Sequence, residues 1–467
     1  MPHLPTDNIA NNTSKCLAVI LAFAALHLAY INTPFVNLEW AYRQGSLYFL
    51  NGNEKALADY LAYQANPLTF SYFSSWLAAL FGPDQYFPYR LLALGGGILL
   101  LAALLRHNNP FLLLVVALNP LIWIYSGRGY SELLAVGLMM LAFESLHSSA
   151  GKSVFGSLAG MVKYHAWPVL LLQAGLQWLQ RFYHSGFRDW RNQDLAIIAI
   201  ILGCAIGFLY LYYLATGIWI YPDRFSAEMT GFTISNTLNN FFGYGFFLSG
   251  MFFLTLPFHF TREAWPQKAG IFGLSMVFAL LNTNLGEMDF GSLELLLGSN
   301  IILAIKAIGF WNFLLCCQHF YQEPRTRTLL LTVLLYIAVL SVTRPAQRYL
   351  IFVIPLWAIL ICQGMALHRL VWYGYVACLI PLNMFVSLYQ VSNARAAWNL
   401  AEWAEENRLV VDLGAIHPHV GNTGIHVSGS SYLVSIGDPD GENVMHSEDI
   451  SVFGVRLRSY ILTDSGS

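Results

Sequence analysis

The sequence has 467 residues, of which 56% are hydrophobic and 11% are charged, whereas about 25% are charged in ordinary soluble domains. The mean hydropathy is +0.52, which excludes a water-soluble globular protein because too few polar side chains are present to cover its surface. The formal net charge of −2 gives no reason to expect a nucleic acid partner.

Apolar blocks dominate the chain, and most are long enough to cross a bilayer, which takes about 20 residues. The first block follows a polar segment and has no small-residue cleavage site, so it predicts a retained helix and not a removed signal peptide. The predicted fold class is therefore an all-α polytopic membrane protein. The blocks lie near residues 16–36, 88–105, 109–126, 130–147, 153–180, 194–217, 242–260, 269–285, 295–320, 327–343, 349–367 and 370–390.

The basic residues predict the orientation, because short cytoplasmic loops carry an excess of Lys and Arg. With the N-terminus in the cytoplasm, one set of loops holds most of them. The block 153–180 has basic residues at both ends and contains Lys163 and Pro168, which favours two half-helices that turn near the outer side. This gives about 13 crossings and an outer C-terminus. The cytoplasmic set is Arg106, Lys152, Arg181, Arg188, Arg191, Arg262, Lys268, Arg325, Arg327 and Arg369.

The first outer loop, residues 37–87, mixes charged and aromatic residues. Helical spacing predicts amphipathic helices over 39–50, 55–63 and 67–81, which we expect to lie along the membrane interface.

The chain after residue 390 is polar and is predicted to form a small extramembrane α+β domain, residues 391–467, beside the membrane domain 1–390. A helix is predicted over 394–408. Alternating patterns predict strands near 409–413, 425–428, 432–436 and 452–457.

Metal and disulfide signals are weak. All six cysteines lie in apolar blocks and lack metal-site spacing. In the tail, His417, His419 and His426 are too loosely spaced to favour zinc, and residues 438–443 favour a plain turn over a calcium loop. No cofactor is therefore predicted with certainty, and a divalent metal stays an open alternative that the sequence does not indicate.

Charged residues accumulate at the predicted outer ends of the membrane helices, where each is costly and therefore a functional candidate. Arg and Lys suit a phosphate, and a carboxylate suits removal of a proton from a hydroxyl. Together they suggest a transferase acting on a lipid-linked phosphate, although each residue alone is also compatible with snorkelling or a local ion pair. The set is Glu39, Arg90, Arg128, Glu132, Lys163, Asp223, Arg224, Glu228, Glu287, Asp289, Glu294, Arg344 and Arg348.

Four motifs, taken in order, resemble those of GT-C glycosyltransferases, in particular bacterial members of the protein O-mannosyltransferase and aminoarabinose-transferase type. The resemblance covers most of residues 17–365. It departs from the family at Trp40, where a second acid is usual, and at Asn66, where a His is usual. The motifs are Glu39-Trp-Ala-Tyr42 with Asn66-Pro-Leu68 and Arg90, Tyr125-Ser-Gly-Arg128 with Glu132, the Gly-rich stretch 156–163 ending in Lys163, and Gln347-Arg-Tyr-Leu350 with Pro355.

The resemblance implies a GT-C-type enzyme in the bacterial inner membrane that moves a sugar from a polyprenyl phosphate to a lipid, glycan or protein acceptor, with its active site facing the periplasm. Glu39 is implied as the general base. The carrier phosphate is assigned to Arg90, Lys163 and Arg348, and the pocket to Arg128 and Glu132. Further substrate-binding candidates are His165, Arg344 and Tyr349.

This interpretation expects Glu39 to face Arg90, Lys163 and Arg348 across one cavity at the outer leaflet. Three alternatives stay open. A transporter or flippase of a lipid-linked saccharide would use the same polar set, but it would favour repeats and paired broken helices, and only one broken segment is evident in the sequence. A saccharide ligase or polymerase would differ from the proposed transferase mainly in using a pyrophosphate-linked donor. A non-catalytic membrane scaffold would not need so many charged residues on one side of the membrane.

Overall fold

The computed structural model describes residues 6–35, 39–63, 66–144, 149–185, 192–219, 233–260, 265–281, 299–342, 346–409, 411–412, 432–437 and 444–464. These residues form a mostly helical protein with a small C-terminal sheet. The chain divides into two compact units. The first comprises residues 1–20, 98–122 and 135–379, and the second comprises residues 21–97, 123–134 and 380–467.

The helices of the described residues are numbered here in chain order. They are α1 Thr6–Leu28, α2 Glu39–Asn51, α3 Glu54–Tyr63, α4 Thr69–Phe81, α5 Phe87–Leu104, α6 Pro110–Ala117, α7 Pro120–Ser126, α8 Glu132–Glu144, α9 Ser149–Val162, α10 Ala166–Ser185, α11 Asn192–Thr216, α12 Ile234–Met251, α13 Leu256–Phe260, α14 Trp265–Leu281, α15 Ser299–Gln322, α16 Pro324–Ser341, α17 Ile354–Gly364 and α18 Arg369–Glu406. Three short 3-10 helices cover Leu105–His107, Phe253–Thr255 and Gln347–Phe352.

The apolar helices are those of an integral membrane protein. Within the described residues, five helices are long and apolar enough to cross a bilayer, and a sixth span results if the bent pair Ile234–Met251 and Phe253–His259 counts as one. Two shorter apolar helices, Asn12–Leu28 and Ile354–Gly364, accompany them. The predicted total of about 13 crossings stays a prediction.

Several predicted apolar blocks are interrupted, each next to a helix-breaking residue or a polar side chain. Block 109–126 is two short helices, because Pro120 begins α7 and its missing N–H ends the preceding hydrogen-bond ladder. Block 242–260 bends by 74° after Met251. Block 349–367 is a 3-10 helix followed by α17. The block predicted to end near 390 instead continues without a break to Glu406, so the predicted tail helix is part of α18.

In the first unit, aromatic side chains fill the space between α12, α14 and α15. Phe246, Ala279, Ala307 and Phe310 form a buried cluster. A Cβ added at Gly309 would lie 2.4 Å from the Phe246 ring, so this glycine lets α12 and α15 approach closely. Packing by small residues of this kind is how membrane helices associate without a hydrophobic driving force.

In the second unit, the three predicted loop helices are confirmed as α2, α3 and α4, with bounds within two residues of those expected. Helices α2 and α4 are in close contact, since a Cβ at Gly45 would lie 2.5 Å from Ser71 Oγ. Ser46 Oγ also donates to the Ser71 carbonyl at 2.9 Å. The loop is therefore a packed helical layer, held by both van der Waals contact and hydrogen bonds.

The C-terminal part of α18 packs on a four-stranded sheet of order β1-β2-β4-β3. Alanines and Leu400 of α18 repeat at helical spacing and form a buried cluster with Ile450, Tyr460 and Leu462. The strands are β1 Val411–Asp412, β2 Tyr432–Gly437, β3 Val444–Val452 and β4 Val455–Asp464. The strand predicted near 425–428 lies outside the described residues.

The prediction of a strand over 452–457 is wrong. Val452 pairs with Val455, and the two residues between them, Phe453 and Gly454, have φ values of 52° and 77°. These are the signs of a type I′ hairpin turn, in which both central residues need positive φ. The alternating pattern looked continuous because the position usually taken by Asn or Asp is occupied by Phe453.

The first outer loop and the end of α18 are in contact inside the second unit. The rings of Tyr86 and Trp398 meet edge to face with centroids 6.0 Å apart. Phe35, Ala78 and Tyr89 form a further small cluster below the loop helices, with Leu50 and Tyr86 packed on it. The predicted division between domains at residues 390 and 391 stays a prediction.

Candidate functional site

The second unit contains a buried two-point ion pair between Glu39 and Arg90. Glu39 opens α2, and Arg90 lies in the first turn of α5. Arg90 Nε donates to Glu39 Oε1 at 2.8 Å, and Nη2 donates to Oε2 at 2.9 Å. The two residues are 0% and 1% exposed. Removing either member would leave a buried charge without its partner, which is strongly destabilising. The pair therefore stabilises the contact between the start of α2 and the start of α5.

The other N–H groups of Arg90 bind the connection between α1 and α2. Nη1 donates to the carbonyls of Ile31, at 3.2 Å, and Thr33, at 2.7 Å, and also contacts the Thr33 hydroxyl. Nη2 donates to the Pro34 carbonyl at 2.8 Å. A guanidinium has five N–H donors, and each has an acceptor here. A phosphate can therefore bind Arg90 only if it displaces one of these contacts.

The environment of Glu39 keeps its carboxyl ionised. Burial raises the pKa of Glu39, but the charges of Arg90 and Arg128 and the hydrogen bonds from Arg90 and Gly129 lower it by more, so the pKa lies below its ordinary value. The Gly129 N–H donates to Oε1 at 2.6 Å. Glu39 is thus in the protonation state that a base needs, but its pKa is lowered and its surface is covered.

Arg128 lies on the turn between α7 and α8, close enough for its charge to act on Glu39, and Glu132 follows at the start of α8. Arg128 is half-buried, and its buried Nε has no hydrogen-bond partner among the described residues. Glu132 is 1% exposed and begins α8, where the helix N-terminus stabilises a carboxylate. Of the two predicted pocket residues, Arg128 belongs to the same cluster as Glu39 and Arg90.

A chain of polar side chains next to Glu39 was not singled out from the sequence as part of the site. Asn66 Nδ2 donates to the Tyr42 hydroxyl at 2.8 Å, and that hydroxyl shares a hydrogen bond of 2.8 Å with Ser131 Oγ. Tyr42 lies three residues after Glu39, which is nearly one helical turn and places both on one face of α2. This spacing is the feature of the sequence from which Tyr42 could have been predicted to lie near Glu39.

The first unit contains the second cluster, which is built around a break in the helical chain. The predicted break in block 153–180 is confirmed, because α9 ends at Val162 and α10 begins at Ala166. Lys163 is the first residue of the break and is 1% exposed. The indole of Trp167 lies against the backbone of α9, and a Cβ at Gly160 would be 1.9 Å from its Nε1. Only glycine fits there, so packing fixes the position of Lys163.

Three basic or titratable side chains surround the ring of Tyr349. Lys163 Nζ lies 5.6 Å from the ring centroid, and the guanidinium carbon of Arg348 lies 5.2 Å from it. The imidazole of His165 stacks on the same ring at 3.9 Å and 19°. Both cations are attracted to the ring. Lys and Arg are also the side chains that suit a phosphate or another anion as a ligand.

Local sequence explains why Arg348 and Tyr349 are held there. The segment Gln347–Phe352 is a 3-10 helix that leads directly into α17. Pro355 lies in the first turn of α17, where its fixed φ suits a helix start and its missing N–H costs nothing. Leu350, Ile351 and Phe352 are fully buried, so the 3-10 segment is anchored by apolar packing.

The structure thus brings the predicted residues together in two groups, one in each unit. Glu39, Arg90 and Arg128 form the first group, with Glu132 four residues after Arg128 in the chain, and Lys163, His165, Arg348 and Tyr349 form the second. The single cavity expected from the sequence stays a prediction. The candidates that lie outside the described residues are Asp223, Arg224, Glu228, Glu287, Asp289, Glu294 and Arg344.

The described residues contain no group of three or more His, Cys, Asp or Glu side chains placed to hold a metal ion. The tail residues His417, His419 and His426 and the segment 438–443 lie outside them. A fourth tail histidine, His446, stacks on Trp403 at 4.4 Å and 2° and lies 3.0 Å from a Glu448 oxygen. This histidine is used in packing.

No protein-family model matches the chain, and no curated protein matches it. Two crystal structures of ArnT from Cupriavidus metallidurans align with most of it. The apo structure aligns over 96% of this chain and 97% of that chain, at 11% identity and a TM-score of 0.42. The structure bound to undecaprenyl phosphate aligns over 97% and 98%, at 12% identity and a TM-score of 0.37. At these values the alignments identify no shared function.

Proposed function

We propose that this chain is a membrane glycosyltransferase that takes a sugar from a polyprenyl phosphate carrier and places it on an acceptor hydroxyl at the outer face of the membrane. The observation that carries the proposal is the cluster around Tyr349. Lys163, almost fully buried, and Arg348 both lie within 6 Å of one aromatic ring. Two cations at one aromatic ring suit a phosphate or another anion as a shared ligand.

The position of the cluster favours an amphiphilic donor. Lys163 lies in a break between two helices of an apolar block, and non-helical backbone at membrane depth is tolerated where it is buried in protein or lines a polar cavity. A phosphate at such a break can keep its hydrocarbon chain in the lipid. A polyprenyl phosphate sugar has this form, whereas a soluble nucleotide sugar does not.

Transfer would proceed by one displacement. The acceptor oxygen attacks the anomeric carbon, the bond from that carbon to the phosphate oxygen breaks, and the polyprenyl phosphate leaves with both electrons. Lys163 and Arg348 stabilise the charge that develops on the leaving phosphate. A single displacement inverts the configuration at the anomeric carbon.

Glu39 is proposed as the base that takes the proton from the acceptor. Its lowered pKa keeps it ionised, but Arg90 and Gly129 occupy its oxygens. Proton transfer therefore requires one of these contacts to open when the acceptor binds. The nearby Tyr42 hydroxyl, which Asn66 orients, is placed to support an acceptor hydroxyl as the contact opens.

The test is an in vitro transfer assay on the purified full chain with a panel of polyprenyl phosphate sugars and a range of lipid, glycan and protein acceptors. The chain should release polyprenyl phosphate as the acceptor gains the sugar. Glu39→Gln should abolish transfer and leave donor binding intact. Wild-type rates in this variant would remove Glu39 from the base role, and no sugar release with any donor would overturn the proposal.

A second bend in the helices supports the alternative function, a transporter of a lipid-linked saccharide. The helix pair Ile234–Met251 and Phe253–His259 is bent by 74°, which adds a second broken segment to the one at Lys163. Paired broken helices are common in transporters. A transporter would move a polyprenyl phosphate sugar across vesicle membranes without cleaving it, so the intact donor recovered on the far side would favour that function.

A further inference from the structure

The lipid-exposed surface of α18 ends at a defined point. Within the second unit, its exposed side chains are apolar at Ile380, Leu382, Met384, Phe385 and Leu388. After Leu388, the exposed side chains of the helix are polar, beginning with Arg395 and Asn399. A membrane helix changes its exposed side chains in this way at the boundary between hydrocarbon and headgroups. Leu388 therefore marks the depth of that boundary.

The turn between β3 and β4 lies at the same depth. A cavity of about 290 Å³ opens between α18 and the hairpin. Its wall includes Leu388 and Val391 from the helix, and Val452 and Phe453 from the hairpin. Because Leu388 and Phe453 line one cavity, the tip of the hairpin reaches the membrane boundary.

The residue at the tip is unusual for a turn. Phe453 has a φ of 52° and is 75% exposed. A bulky residue at positive φ is strained, and Asn, Asp or Gly normally fills this position of a type I′ turn. The next residues on β4 are also apolar and exposed, Val455 at 61% and Leu457 at 41%. Exposure to water explains neither the strain nor the apolar surface.

The charges around the tip are those that an anionic membrane surface attracts. Arg395 lines the cavity, and Arg456 and Arg458 are exposed on β4 next to the turn. The acidic residues of the cavity wall have partners in the sheet: Glu448 lies 3.0 Å from His446 Nε2, and Asp449 accepts from Ser459 at 2.6 Å. Arginines beside an apolar tip suit lipid phosphates.

We propose that the β3–β4 turn is a membrane anchor, in which Phe453 enters the lipid interface while Arg395, Arg456 and Arg458 bind the phosphates of anionic lipids. The occupant of this surface is the bilayer that α18 crosses, on the side where α18 emerges. Aromatic rings prefer this interfacial depth. The anchor would fix the distance between the sheet and the membrane, and it does not depend on the proposed enzymatic activity.

The test uses the full chain reconstituted in vesicles of phosphatidylethanolamine and phosphatidylglycerol, with the exposed Cys378 replaced by Ala. A fluorescent probe is attached at Phe453→Cys or, as a matched control, at Met445→Cys. Met445 is also exposed, but it lies at the opposite end of β3, roughly 25 Å away at about 3.4 Å per residue. Lipids with a nitroxide near the headgroup should quench the probe at 453 several-fold more than the probe at 445. Equal quenching would overturn the proposal.

A second variant separates anchoring from folding. Phe453→Asn gives the turn its preferred Asn-Gly sequence, so the hairpin should keep or gain thermal stability. A probe at Leu457→Cys should nevertheless lose most of its quenching when Phe453→Asn is added. Unchanged quenching in a folded double variant would show that Phe453 is not the anchor.

Discussion

The two charged clusters of this protein use their cations in opposite ways. In the second unit, Arg90 donates two hydrogen bonds to the carboxylate of Glu39. Its other N–H groups donate to backbone carbonyls and the Thr33 hydroxyl. In the first unit, Lys163 and Arg348 lie on the same ring, that of Tyr349. In one cluster the cation is paired with a carboxylate, whereas in the other two cations share one aromatic ring.

This difference separates two reasons for keeping a charge near a membrane core. A saturated ion pair fixes the geometry of the elements it joins, and breaking it costs stability. Two cations at one aromatic ring are instead suited to hold an anionic ligand. Arg90 would then act mainly by positioning α2, while Lys163 and Arg348 would act on the donor. Four variants or conditions test this contrast.

The largest effect is expected for Arg90→Ala. Removing one member of a buried pair typically costs about 3–5 kcal/mol, and this change also frees three backbone carbonyls. The thermal unfolding temperature of the purified protein should fall sharply. Arg43→Ala is the control, because its partner Asp84 is 85% exposed, so this change leaves no buried carboxylate without its partner. Equal losses in the two variants would show that the Arg90 pair is not a structural clamp.

Lys163→Met should affect donor binding more than stability. Methionine keeps much of the apolar stem of Lys163 and removes a buried charge, so the unfolding temperature should fall less than in Arg90→Ala. Loss of a charged hydrogen bond of about 1.5–3 kcal/mol should weaken binding of a polyprenyl phosphate by roughly 10- to 100-fold. Lys152→Met, in the preceding helix α9, is the control for the charge change. Unaltered affinity at position 163 would count against a phosphate site there.

Gly160→Ala tests whether packing places Lys163. The new methyl would meet the Trp167 indole, and overpacking of this kind typically costs about 1–3 kcal/mol. Gly175→Ala in α10 is the matched control, since nothing lies within 4 Å of its added Cβ, and an alanine there should stabilise the helix by about 0.5–1 kcal/mol. Donor affinity should fall with Gly160→Ala alone. A tolerated methyl at 160 would mean that the break is held by other contacts.

The smallest effect is expected for the pH dependence of the stability that Glu39 contributes. The pKa of Glu39 is lowered in the folded protein, so its contribution to stability is complete above the unfolded value of about 4.3 and is lost as the pH falls through the folded value. The difference in unfolding free energy between the wild type and Glu39→Gln should therefore be constant near neutral pH and shrink in acid. Unfolding curves between neutral and acidic pH measure it, and a difference that grew in acid would contradict the sign.

Local patterns predicted much of the architecture. The helices of the first outer loop were predictable because their amphipathic spacing is repeated over whole elements. The break at Lys163 was predictable because Pro168 and a mid-block charge conflict with a continuous membrane helix. The extension of α18 to Glu406 was not, because the exposed face changes from apolar to polar within one unbroken helix.

The contacts that each charged side chain makes could not be predicted from local patterns. The sequence places Arg90 at a helix start but does not show that the carbonyls of Ile31, Thr33 and Pro34 converge on its guanidinium. Similarly, nothing in the alternation of 452–457 reveals positive φ at Phe453. Both depend on which backbone atoms meet in three dimensions. The grouping of Lys163 with Arg348 depended on motif order alone, and the contacts around Tyr349 supply its geometry.

The ring contact between Tyr86 and Trp398 restricts how many times the chain between them can cross the membrane. One residue immediately precedes α5 and the other lies near the end of α18, beyond Leu388, where we place the membrane boundary. Because their side chains touch, both lie on the same side of the bilayer. The chain between them must therefore cross the membrane an even number of times, so any topology map with odd parity over residues 87–397 can be discarded before its individual spans are assigned.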